Sequence, residues 1–110
     1  MKNGIEVDDK GNITYTKDGM LHREDGPAYI GGDGWRIEWW LNGQYHREDG
    51  PAIICSSLSL NFESYHKNGM RHREDGPAFV MPNGYIEYYI DDEYLTEQEF
   101  IEWKLLNFLK

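Results

Sequence analysis

The sequence predicts a mainly β protein, an antiparallel sheet of β-hairpin repeats closed by one C-terminal capping α-helix. Three observations carry this reading. The heptapeptide His-Arg-Glu-Asp-Gly-Pro-Ala stands unchanged at His22 to Ala28, His46 to Ala52 and His72 to Ala78, at intervals of 24 and 26 residues, the mark of a duplicated unit that stacks on its neighbours. Shortly before each copy comes Asp18-Gly19, Asn42-Gly43 or Asn68-Gly69, dipeptides suited to a type I′ hairpin turn because both central residues need positive φ. Near the end, Thr96 and Glu99 form a capping box, with Leu95 and Phe100 at the flanking staple positions.

In chain order, residues 1–12 read as a leading strand and turn, with Ile5 and Val7 alternating around Glu6 before the turn-rich Asp8 to Asn12. Residues 13–95 read as three hairpin repeats and a degenerate fourth, in which Asp91-Asp92 replaces Asn-Gly and Leu95 replaces the histidine. Within each heptapeptide the Gly-Pro step bends an otherwise extended segment, because the proline lacks an N–H and steers the preceding glycine away from the helical region. Extended chain resumes at Ala28-Tyr29-Ile30, Ala52-Ile53-Ile54 and Ala78-Phe79-Val80. The return strands are Trp35 to Leu41, about Ser59 to Lys67, and Tyr85 to Ile90. In the first, Trp35, Ile37, Trp39 and Leu41 share one face, read as core, opposite Arg36, Glu38 and Trp40. Aligned on their turns, the units place Tyr15, Trp39, Tyr65 and Tyr88 at one position, expected as an aromatic ladder, and Thr16, Trp40, His66 and Tyr89 at the next. Residues 96–110 form the C-terminal helix, from Glu97 to about Phe108, with Phe100, Ile101, Trp103, Leu105, Leu106, Phe108 and Leu109 around most of its circumference.

Composition narrows the function classes. Eleven basic and 20 acidic side chains leave a net charge of −9, which disfavours direct binding to nucleic acid or anionic lipid and suits a basic protein surface. Cys55 is the sole cysteine, so no internal disulfide forms and a reducing compartment fits. Met1 to Asp9 hold no apolar run fit for a signal peptide, and no stretch is long enough to span a bilayer. A single domain in the cytoplasm is the expectation.

The elements Tyr15-x-x-Asp18-Gly19-x-x-His22, Trp39-x-x-Asn42-Gly43-x-x-His46 and Tyr65-x-x-Asn68-Gly69-x-x-His72 resemble MORN-type repeats over Ile13 to about Leu95. The nearest style is that of MORN-like variant arrays with a His-Arg-Glu-Asp-Gly-Pro-Ala signature in small proteins of bacteriophages and large DNA viruses, distantly similar to YwqK-type antitoxin repeats. The resemblance implies a meandering sheet of hairpins and a role in interaction rather than catalysis, in host cytoplasm if the protein is viral.

The repeated His22, His46 and His72 with Asp25, Asp49 and Asp75 have the chemistry of metal ligands, yet one histidine per layer does not close a tetrahedral site. The plainer reading is a folding device, in which Arg23, Arg47 and Arg73 pair with acidic neighbours and the carboxylates satisfy backbone groups freed at the bend. Cys55 has no adjacent base, and no phosphate loop or nucleophile motif occurs. The chain is therefore expected to be no enzyme and to need no cofactor. Two classes remain, with a purely structural scaffold behind them. One is a protein-binding module, such as a phage-encoded inhibitor of a host defence or regulatory factor, using Trp40, His66 and Tyr89 with the acidic stretch Asp91, Asp92, Glu93 and Tyr94. The other is a small-ligand binder that stacks a nucleotide-like molecule on Trp40 and Tyr89 beside the repeated arginines. The Leu105 to Leu109 end is a candidate homo-oligomer contact.

Overall fold

The computed structural model describes residues 3–108. The strands are β1 (Gly4–Val7), β2 (Ile13–Lys17), β3 (Met20–Leu21), β4 (Tyr29–Ile30), β5 (Arg36–Glu38), β6 (Trp40–Leu41), β7 (Gln44–Tyr45), β8 (Ile53–Ser56), β9 (Asn61–Ser64), β10 (His66–Lys67), β11 (Met70–Arg71), β12 (Phe79–Val80), β13 (Ile86–Ile90) and β14 (Glu93–Leu95), and helix α1 (Glu97–Phe108) follows. All pairings are antiparallel; the main sheet runs β1-β2-β4-β5-β8-β9-β12-β13-β14, with β3 on β2 and with β6-β7 and β10-β11 as separate hairpins. The expected class, mainly antiparallel β with one C-terminal helix, is the one observed.

The hairpin turns form where the dipeptides place them. Asp18 and Gly19 have φ of 52° and 79°, Asn42 and Gly43 of 49° and 78°, and Asn68 and Gly69 of 52° and 82°, the doubly left-handed geometry of a type I′ turn. Asp91 and Asp92 adopt it too, at 47° and 70°, so the fourth hairpin is complete despite its sequence. Asp92 tolerates a conformation that favours glycine because its carboxylate accepts the backbone N–H and the Nε–H of Arg71, both at 3.0 Å.

Each heptapeptide is a bulge anchored at both ends on one aromatic residue. The N–H of His22 donates to the carbonyl of Tyr15, whose own N–H donates to the carbonyl of Ala28; Trp39 does the same with His46 and Ala52, and Tyr65 with His72 and Ala78. Of the five residues between, the arginine keeps a backbone bond to the next unit, its N–H donating to the carbonyl of Trp40, His66 or Tyr89 at 3.0 to 3.1 Å, and its side chain folds back over the ring: Cζ lies 4.0 Å from the Tyr15 centroid for Arg23, 3.7 Å from Trp39 for Arg47 and 4.0 Å from Tyr65 for Arg73. Each guanidinium also donates to the proline carbonyl of its own bulge, at 3.1 to 3.2 Å. Its other face lies on the glycine, where a Cβ would come within 2.8 to 3.1 Å of Cζ. Glycine is required here for close approach, and the alanines Ala28, Ala52 and Ala78 are fully buried.

Histidine couples each unit to the next. Nδ1 of His22, His46 and His72 accepts the backbone N–H of Asn42, Asn68 and Asp91, at 2.9, 2.9 and 3.0 Å. Because Nδ1 accepts, Nε2 carries the proton and faces Glu24, Glu48 and Glu74. At the N-terminal end Asn3 Oδ1 takes the N–H of Asp18 at 2.7 Å, occupying the role that an imidazole plays elsewhere. His46→Ala is therefore expected to destabilise by roughly 1 to 2 kcal/mol and His46→Asn, which keeps an acceptor near Nδ1, by about half as much. Thermal melts of the two variants check this; equal losses would mean that imidazole packing, not the inter-unit bond, matters.

The helix begins as its cap signals. Thr96 N–H donates to Glu99 Oε1 at 2.8 Å and Glu99 N–H to Thr96 Oγ1 at 3.2 Å. Leu95 is buried, and Phe100 stacks at 4.6 Å on Tyr88, the ring that no arginine covers. The helix thus replaces the missing guanidinium. Phe100 is its only buried described residue, while Ile101, Leu105, Leu106 and Phe108 are exposed; Leu109 lies outside the described residues.

Candidate functional site

Strand alternation divides the candidate residues between two faces. The motif face carries the rings capped by arginine, and the opposite face carries their neighbours Trp40, His66 and Tyr89. The expected aromatic ladder of Tyr15, Trp39, Tyr65 and Tyr88 is instead a row of ring–guanidinium stacks ended by the Tyr88–Phe100 pair, because each bulge inserts an arginine over its own ring. The face assigned to core also differs from expectation. Trp35 is exposed, and the most buried residue of that strand is Glu38, 7% exposed, whose carboxylate accepts from Arg36 Nε and from Trp40 Nε1.

On that opposite face the three candidate anchors pack inward. Trp40 stacks on Tyr45 at 4.1 Å and Tyr45 on His66 at 5.1 Å. Tyr89 is 8% exposed, donates to Glu87 Oε1 at 3.0 Å, lies under the Arg71 guanidinium and meets Tyr94 edge-on. A buried ring has little contact area left for a partner, so Tyr89 is a core residue and Tyr94, which is exposed, is the available neighbour. Asp91, Asp92 and Glu93 are exposed on the fourth turn, with Asp91 Oδ1 3.2 Å from His72 Nδ1 and Asp92 engaged by Arg71. Because Trp40 and Tyr89 stand opposite the face of Arg23, Arg47 and Arg73, these residues do not converge on one pocket.

The heptapeptides line two grooves on the motif face, of about 740 Å³ between the first and second bulges and about 480 Å³ between the second and third. Inside them the arginines are engaged. Their Nε groups donate to Asp25, Asp49 and Asp75 at 2.9 to 3.1 Å, and these aspartates, with Glu24, Glu48 and Glu74, project to solvent. No group of three or more metal-ligating side chains gathers among the described residues, because each unit places one histidine per layer and turns its Nδ1 to backbone.

A feature beyond the candidates lies on the other half of the motif face. Val7 pairs with Ile13, Ile13 with Ile30, Ile30 with Ile37 and Ile37 with Ile54. Ile54 then pairs with Glu63, Glu63 with Val80 and Val80 with Ile86. These side chains form one transverse row in register, and none is buried. The signal was in the repeats: Ile30, Ile54 and Val80 each stand two residues after the motif alanine. The strand pattern shows that they share a face with that alanine, but not that the bulge covers only the alanine.

Titration of the site runs in one direction. Burial pushes His66 below its ordinary value near 6.5; Nε2 lies 2.8 Å from Ser64 Oγ, while Nδ1 is buried with no partner among the described residues. The unfolded chain therefore binds the proton first, so stability contributed by neutral His66 is lost as pH falls below about 6.5. Asp92 and Asp75 are held below the usual carboxylate value, Asp92 by the Arg71 backbone N–H and guanidinium and Asp75 by Arg73. Their contribution is present above about 3.8 and disappears below it as they protonate in the fold. The melting temperature is expected to fall from pH 7 to pH 5 in the native chain and to stay flatter in His66→Phe; equal slopes would remove His66 from this role.

No protein-family model, no curated protein and no solved structure matches this chain. Among the described residues no helix is long and apolar enough to cross a membrane.

Proposed function

We propose that this protein is a non-enzymatic protein-interaction module of the cytoplasm whose partner presents a basic surface. One observation carries the reading: in all three heptapeptides the arginine turns inward onto a ring and a carbonyl, while the glutamate and aspartate stay exposed. The motif thereby adds acidic groups to the surface and withdraws basic ones, and Asp91, Asp92 and Glu93 extend that character to the fourth turn. Such a surface accelerates association with a basic partner and repels nucleic acid. Kinship with MORN-like arrays, and action as a phage-encoded inhibitor of a host defence or regulatory protein, are finer proposals that rest on the sequence resemblance. The exposed Leu105 and Leu106 support a homo-oligomer contact through the helix, which light scattering at the monomer mass over a wide concentration range would remove. The nucleotide-like ligand reading loses support, since its stacking rings and its arginines lie on opposite faces.

The test is capture of a partner on the immobilised protein, followed by affinity measurements on Glu24→Lys and Glu93→Lys. Both residues are exposed, so both substitutions should fold. Affinity is expected to fall severalfold at low salt, with a smaller difference at moderate salt. Unchanged affinity in both variants would place the working surface away from the acidic groups.

A further inference from the structure

The transverse aliphatic row on the motif face is an ordered apolar feature in which Ile13, Ile30, Ile37, Ile54 and Val80 are half-buried and none is fully buried. Among the described residues α1 packs at one end of the sheet, against β14 and, through Phe100, on Tyr88 of β13. The ends of the row are open, with Val7 65% and Ile86 38% exposed. Seven of the eight row positions are aliphatic, whereas such positions on a solvated sheet face are normally polar. Glu63 decides what docks. It interrupts the row between Ile54 and Val80 and is exposed, and its carboxylate has no hydrogen-bond or ion-pair partner among the described residues. A shallow depression of about 320 Å³, lined by Ile54, Asn61, Glu63, Val80 and Pro82, opens beside it. A second copy of the chain laid face to face would bury this carboxylate against aliphatic groups, and the chain's own helix would bring Glu97, Glu99 and Glu102 towards it. Both are electrostatically disfavoured. Along the adjoining row stand the exposed carboxylates of the three bulges, adding negative charge at the rim.

We infer that this row binds an amphipathic helix of a protein partner, its apolar stripe on the isoleucines, one Lys or Arg on Glu63, and further basic residues towards the bulges. The inference rests on the interaction-module reading and names its surface and the chemistry of its partner. At the ordinary interstrand spacing the row is about 34 Å long, which a helix of about 22 residues spans.

The experiment uses the full chain, isotope-labelled for amide NMR, and a synthetic 22-residue Leu/Lys peptide with leucines at helical spacing. A scrambled peptide of the same composition is the control. Perturbations at Ile13, Ile30, Ile37, Ile54 and Val80 are expected with the patterned peptide. Glu63→Lys and Ile37→Lys, checked for native melting, should each weaken it by about tenfold or more. Glu63→Gln should weaken it less than Glu63→Lys. Equal binding of the scrambled peptide would overturn the inference, and so would perturbations confined to Asp91 to Glu102 or a native dimer that Ile37→Lys breaks. A captured partner that Glu63→Lys and Ile37→Lys bind as well as the native chain would overturn this surface while leaving the interaction-module reading intact. Failure of that reading would show separately, as no partner captured by the native chain.

Discussion

Phe100→Ala is expected to destabilise the protein by about 3 to 4 kcal/mol, in the range of buried aromatic truncations, and to release the C-terminal helix. Phe100 is 5% exposed and stacks on Tyr88 at 4.6 Å. It is the only described residue of α1 that is buried. Trp103, which stacks on Phe100 at 6.2 Å, would lose that support as well. A 12-residue helix without tertiary contacts is marginal in water even when well capped, so the capping box cannot hold it alone. Units in a stacked array depend mainly on their neighbours, so the first hairpins should survive. The measurement is far-ultraviolet circular dichroism with amide exchange: helical signal and protection at Phe100 to Phe108 should disappear while protection of Ile37, Ile53 and Ile54 persists. A variant that keeps its helix and melts with the native protein would show that the helix docks through some other contact.

Arg47→Ala is expected to cost roughly 2 to 3 kcal/mol, combining a lost stack on Trp39 with a lost charge-assisted bond to a part-buried carbonyl. Asp49→Ala should cost less than about 1 kcal/mol, because its ion pair is exposed to solvent. The structure separates two residues that the sequence presents as equivalent partners. Arg47 lies 3.7 Å from the Trp39 centroid and donates to the Pro51 carbonyl at 3.1 Å, whereas the Asp49 side chain is 87% exposed. Gly50→Ala should approach the arginine variant in cost, since a Cβ would stand 2.8 Å from the Arg47 Cζ and displace the guanidinium. Arg47→Lys is the discriminating control: an ammonium retains charge but not the planar stack, so it should recover only part of the loss. Thermal and urea unfolding of the four variants checks the order. Equal costs for Arg47→Ala and Asp49→Ala would mean that the ion pair, rather than the ring and carbonyl contacts, stabilises the bulge.

Local grammar was legible in the residues alone. The Asp-Gly and Asn-Gly dipeptides specify type I′ turns because few residues accept two successive left-handed conformations, and Thr96 with Glu99 specifies where the helix starts because the cap is a contact between near neighbours. The bend at Gly-Pro was equally legible, and so was the sharing of one face by Ile37, Trp39 and Leu41. Tertiary structure alone decided which face became core and which groups met solvent. Trp40, His66 and Tyr89 have the composition of a binding row, yet they are drawn inward by hydrogen bonds to Glu38, Ser64 and Glu87, partners two residues away that no alternation pattern discloses. The role of His22 as an acceptor depends on Asn42, 20 residues on, and becomes visible only when the units stack. The aliphatic row is the same case in reverse. Alternation marks Ile37 as inward-facing, but burial requires a second layer, and over that half of the motif face the described chain supplies none.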